Sequence, residues 1–186
     1  MKSYTPSQLV AVYHPFVRTL HWLMALIIFV ALGLGVWAAQ LPRGDFRSSL
    51  LFYHKSLGVA VLILIVIRIL ARVALGTPPY TTPLDKLTEM AAGAGHLALY
   101  ALMIAIPVSG YVMSTAGGHE VSFFGLFTLP SFLAENKPLA GAAAETHEAL
   151  AWIIGIVIVV HLGATFWHAR VKRDEVLTRM WPRFQP

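Results

Sequence analysis

The chain contains no cysteine among its 186 residues. That excludes disulfides, thiolate-held zinc, iron–sulfur clusters and cysteine-linked haem. Charge is scarce as well: only 12% of residues are Asp, Glu, Lys or Arg, about half the share of a soluble domain. The sequence has no Walker pattern, no dinucleotide-binding glycine fingerprint and no HExxH; His147-Glu148 has no second histidine four residues after the first. No Ser/His/Asp arrangement stands out, and neither an internal repeat nor a low-complexity tract is visible. The net charge is +5 and the pI about 9.7, but no basic stripe carries interleaved aromatics, so nucleic acid is not an expected partner.

What the chain does have is apolar length. Hydrophobic residues make up 57%, and the mean hydropathy is +0.67. Four apolar stretches, at about 17–38, 50–72, 93–114 and 147–168, approach the roughly 20 residues that cross a bilayer. The expected fold is all-α: a transmembrane four-helix bundle forming a single membrane domain over residues 1–186, with lipid as its solvent. The first stretch has too long an apolar run and too weakly basic a lead for a cleaved signal peptide. The connection from Ala74 to Glu89 holds Pro78, Pro79 and Pro83 and should be extended. The connection from Thr115 to Thr146 is the longest, with a semi-apolar piece from Val121 to Leu133 too short to span and suited to the interface.

Of the 14 Lys and Arg residues, four (Arg43, Arg47, Lys55 and Lys137) fall on one side. The other ten fall at the termini, the second connection and the adjoining helix ends, which predicts both termini on the cytoplasmic side.

Ionisable residues inside membrane spans are costly and mark function. Five histidines (His21, His54, His96, His147 and His161) lie in the spans or at their ends. His147 and His161 are 14 residues apart; on a helix they face within about 40° of each other and about 21 Å apart along the axis. His54 matches the depth of His147, and His21 that of His161. Paired histidines on facing helices can hold a haem iron from both sides, and six-coordinate iron suits electron transfer. The expected axial pairs are therefore His21 with His161 for an inner haem and His54 with His147 for an outer one. His96 is the rival at the inner level, as a ligand or as a haem-edge or packing residue. Arg68, 14 residues after His54, returns to the same face at the inner level; it can meet a haem propionate or snorkel to the interface. Gly58 and Gly155 leave room for a macrocycle or for close helix packing. His14 and His119 read as solvated.

These segments together resemble the bacterial cytochrome b561 family of four-helix, di-haem quinone oxidoreductases. The likeness is carried by Leu20-His21-Trp22-Leu23, Tyr53-His54-Lys55-Ser56-Leu57-Gly58, Arg68 to Arg72 with Thr77-Pro78-Pro79, Gly95-His96-Leu97 with Tyr100 and Pro107, Thr146-His147-Glu148, His161, and Leu177-Thr178-Arg179-Met180-Trp181-Pro182. The resemblance implies two haem b groups on His21, His54, His147 and His161, ubiquinone as acceptor and the bacterial inner membrane as location. It implies His168 as the quinone-site histidine, although a solvated histidine on a helix C-terminus is the plainer reading. Some members oxidise superoxide, and on that analogy Lys55, Arg43, Arg47 and Lys137 would steer the anion to the outer haem, unless they are ordinary interfacial charge. Two alternatives stand beside this enzyme: an electron-transfer subunit that takes electrons from a partner dehydrogenase or periplasmic cytochrome, and, remotely, a histidine-based metal transporter, which would lack haem.

Overall fold

The computed structural model describes residues 11–80 and 83–181. Lys2 and Arg183, two of the ten basic residues counted for topology, and Pro182 of the family likeness lie outside the described residues. Four helices are long and apolar enough to cross a membrane: α1 (Pro15–Ala39), α2 (Asp45–Leu75), α3 (Lys86–Ala116) and α4 (Lys137–Trp167). Local chemistry sets their ends. Exposed His14 caps α1, its Nδ1 accepting from the Phe16 N–H at 3.3 Å, with Pro15 pre-set for the first turn. α2 stops at Gly76, whose φ of 69° suits glycine. Asp85 caps α3 by accepting from Thr88 Oγ1 at 2.7 Å and from Thr88 N at 2.9 Å, bonds that hold its carboxyl below the usual carboxylate range. Asn136 caps α4, which begins ten residues before the apolar stretch that predicted it.

The close helix pairs are α1 with α2, α3 with α4, and α2 with α3; among the described residues α4 makes no comparable approach to α1 or α2. The bundle is thus two hairpins joined along one edge and set apart along the other. Between them lies an apolar layer of Met24, Val61, Ile65, Leu102, Met103 and Ile154. Outward faces remain apolar, with Leu70 63% and Val73 80% exposed, as lipid-facing helices require.

The long outer connection is shorter than expected and partly ordered as strands. A small antiparallel hairpin, β1 (Ser122–Phe123) with β2 (Phe127–Thr128), turns through left-handed Phe124 and Gly125. Fully buried Ser56 of α2 pins it: its Oγ lies 2.9 Å from Phe52 O and 3.0 Å from Ser122 O, and accepts from Phe124 N at 3.0 Å.

At the inner end, α4 passes into a π-helical turn (His168–Lys172), reverses at left-handed Arg173 and ends in α5 (Val176–Met180). α5 is latched to α1: Trp22 Nε1 donates to Met180 O and Arg18 Nη1 to Trp181 O, both at 3.0 Å. Arg179 is buried, stacks over the Tyr80 ring at 3.6 Å and donates to Pro78 O. One guanidinium therefore joins the C-terminal segment to the α2–α3 connection. Arg179→Ala should cost about 2–4 kcal/mol, because it removes a buried stacked cation and leaves Pro78 O unpaired. Thermal melting in detergent would measure this; an unchanged melting point would show that the latch contributes nothing.

Candidate functional site

All four expected ligand histidines are half-buried, and they form two facing pairs. The His54 and His147 rings have centroids 6.0 Å apart at 86°; His21 and His161 stand at 6.4 Å and 66°. Two imidazoles trans on one metal, with bonds of about 2.0 Å and ring centres about 1.1 Å behind each nitrogen, have centroids about 6.2 Å apart. The pairs span α2–α4 and α1–α4, the interfaces where the helices do not approach closely.

At the outer level the other ring nitrogen is occupied from within the same hairpin. His54 Nδ1 donates to Ala31 O of α1 at 2.8 Å; His147 Nδ1 donates to Ile106 O of α3 at 2.9 Å, with Ser109 Oγ 3.2 Å away. Each bond puts the proton on Nδ1 and leaves the Nε2 lone pair free, the tautomer of a metal-ligating histidine. Two glycines make the approach possible. A Cβ on Gly35 would lie 2.8 Å from His54 Cε1, and a Cβ on Gly110 3.0 Å from His147 Cε1. Gly58 and Gly155, singled out from sequence, are not the close approaches: a Cβ on Gly58 meets Pro107 at an ordinary 3.9 Å, and one on Gly155 meets nothing within 4 Å.

The two hairpins repeat each other, a relation the sequence reading missed. His21 and Gly35 on α1 are 14 residues apart, as are His96 and Gly110 on α3; the carbonyls that hold the outer histidines, at Ala31 and Ile106, each come ten residues after His21 and His96. On α2, His54 and Arg68 are 14 apart, matching His147 and His161 on α4. The midpoints of three of these intervals, Val61, Met103 and Ile154, lie in the central apolar layer. The repeat breaks at one functional position, where Arg68 stands opposite His161.

Arg68 is only 6% exposed. Its Nη2 lies 3.2 Å from His21 Nδ1, and its Nη1 is buried with no partner. A buried guanidinium with a free N–H calls for an anion, so the site fits a haem carrying propionates. The His96 ring lies 5.8 Å from His161, within the α3–α4 hairpin. Beyond the inner pair, His168 Nδ1 bonds Asp174 Oδ2 across the π-helical turn, a partner that sequence reasoning did not identify because the turn brings it round.

All four steering candidates sit at the outer end, but two are engaged. Lys55 Nζ donates to Ser114 Oγ at 2.7 Å and to Glu120 O at 3.2 Å. Arg47 Nε donates to Ala38 O at 3.0 Å, closing the end of α1. Arg43 and Lys137 are exposed. Among the described residues no three His, Asp or Glu side chains converge on a bare metal ion.

The sequence model of the prokaryotic cytochrome b561 family matches residues 12–183. Cytochrome b561 homolog 2 of Escherichia coli (strain K12) is 39% identical over 162 residues, 86% of this chain and 86% of that protein. A probable superoxide oxidase CybB of Yersinia pestis is 30% identical over 168 residues, covering 88% of this chain and 92% of its own. Cytochrome b561 homolog 1 of Escherichia coli (strain K12) is 29% identical, covering 88% and 93%.

Proposed function

The chain belongs to the prokaryotic cytochrome b561 family, and on that premise we propose that it passes single electrons from superoxide, at the His54/His147 end, to ubiquinone at the His161/His168 end. Membership brings haem b and membrane electron transfer. When bound, haem b would supply one-electron redox chemistry.

The chain's own residues supply position and charge. His54 with His147, and His21 with His161, would hold two haems, and Arg68 would meet a propionate of the inner one. The observation that carries this reading is the pair of imidazole couples, 6.0 and 6.4 Å between centroids, facing across the open interfaces of the bundle. Two superoxide anions each give up one electron and leave as dioxygen; one ubiquinone takes two electrons and two protons and becomes ubiquinol. His168, whose Nδ1 is hydrogen-bonded to Asp174 Oδ2, is the candidate to meet the quinone oxygen. The bias of basic residues supports cytoplasmic termini, and so a periplasmic outer end in a bacterial inner membrane. The donor assignment draws on the relative named a probable superoxide oxidase.

The test is ubiquinol formation by purified protein supplied with a superoxide source and a soluble ubiquinone. The expected result is turnover that slows as salt rises, because Arg43 and Lys137 attract an anion. Arg43→Gln with Lys137→Gln should reduce the rate about threefold or more at low salt and flatten the salt dependence. No ubiquinol without an added redox partner would transfer the reading to an electron-transfer subunit; the relative called only cytochrome b561 homolog 2 leaves room for that role.

A further inference from the structure

Two of the four proposed ligand rings have a hydrogen-bond acceptor inside their own hairpin, His54 at Ala31 O and His147 at Ile106 O; His21 Nδ1 lies 3.2 Å from Arg68 Nη2. Among the described residues the His161 ring has no hydrogen bond in this structure. Its neighbour inside the α3–α4 hairpin is His96, 5.8 Å between centroids with the rings steeply inclined at 70°.

The repeat says what kind of neighbour His96 is. His96 on α3 corresponds to His21 on α1, and His161 on α4 to Arg68 on α2. The His96–His161 contact is therefore the counterpart of the His21–Arg68 contact, a link within one hairpin. The ligand pair His21–His161 runs between hairpins, from α1 to α4. Its counterpart would run from His96 to Arg68, and a guanidinium does not ligate iron. That diagonal also crosses α2–α3, which pack closely. His96 thus has no ligand mate on its own diagonal, and its contact with His161 lies between two tightly packed helices with no space for a macrocycle.

What His96 can offer is an acceptor. A neutral imidazole keeps one ring nitrogen as a bare lone pair, able to accept an N–H. A histidine that ligates through one nitrogen carries its proton on the other, and that N–H almost always meets an acceptor. We propose that His96 is the positioning residue of the inner centre: it accepts the ring N–H of His161, fixes that ring's orientation and makes it a stronger donor to iron. This rests on the reading that His161 is an axial ligand. A stronger donor favours the oxidised metal, so losing the acceptor raises the reduction potential of the inner haem.

The experiment compares redox titrations and optical spectra of the wild type, His96→Leu (similar bulk, no acceptor) and His96→Gln (an amide oxygen that can accept). The expected result is two low-spin haems per chain in all three. The inner potential shifts upward in His96→Leu and returns toward the wild-type value in His96→Gln, while the outer potential stays put. An unmoved inner potential in His96→Leu reduces His96 to packing and overturns the proposal. Loss of the inner haem in both variants makes His96 an axial ligand and overturns it as well. The outer haem reports folding; if His96→Leu fails to assemble, His96→Ala takes its place under the same criteria. A wild type without haem would instead defeat the function proposed above, an outcome these variants cannot mimic.

Discussion

His147→Ala should abolish one low-spin haem per chain and leave the other, and His161→Ala should do the reverse. The independence follows from the geometry. The two residues share helix α4 but sit 14 residues apart, about 21 Å along the axis, and each faces a different helix. Ile154, 3% exposed and midway between them, belongs to the apolar layer that separates the levels. Removing one imidazole leaves a single axial ligand, while the other level keeps both rings at their distance. His54→Ala should match His147→Ala, and His21→Ala should match His161→Ala. The measurement is a reduced-minus-oxidised spectrum with haem counted per chain. Loss of both haems from either single variant would mean that the levels are cooperative, and no haem in the wild type would end the ligand assignment altogether.

Gly35→Val and Gly110→Val should each remove the outer haem while sparing the inner one. Neither glycine can touch iron, so the effect must pass through the histidine that lies over it. A Cβ at residue 35 would come within 2.8 Å of His54 and 3.1 Å of its Nδ1; at residue 110 the corresponding distances to His147 are 3.0 and 3.1 Å. The 2.8 Å approach is closer than real side-chain contacts come and the others are tighter than most, so the rings must shift against their bonds to Ala31 O and Ile106 O. A branched residue adds two methyl groups to the clash, and overpacking of this kind typically costs about 1–3 kcal/mol. The ligand geometry gives way before the helix does, since valine lowers helix stability by less than about 1 kcal/mol. Gly33→Val is the control, because a Cβ there meets nothing within 4 Å. If the outer haem binds equally in all three variants, the glycines are not what admits the histidines.

Several features of this molecule are legible without coordinates because they follow from solvent and helical period alone. A span of about 20 apolar residues has few stable options besides a helix in lipid, so four helices follow from the four apolar runs. Histidines 14 residues apart return to nearly one face, so the pairing by depth follows from counting. The fold brings the ring centroids of those pairs to 6.0 and 6.4 Å. Counting failed where a residue's role depends on a neighbour far along the chain. The glycines chosen from sequence, Gly58 and Gly155, lie near histidines in sequence; Gly35 and Gly110 lie near them in space, 19 and 37 residues away. The internal repeat was hidden because its equivalent positions carry different residues, Arg68 against His161, and because the second hairpin has the longer loop.

What the amino-acid sequence determined by itself is the membrane class, the number of helices, the two levels at which imidazoles occur and, through the combined motifs, the family. Tertiary structure alone decided which side of the two outer imidazoles is tied down, which interface stays open, and which partner each polar group takes. Lys55 turns to Ser114 and Glu120, Arg47 closes α1, Arg179 is stacked on Tyr80, and His168 meets Asp174. The physical reason is that burial and periodicity are properties of a segment, whereas a hydrogen bond is a property of a pair, and the fold chooses the second member.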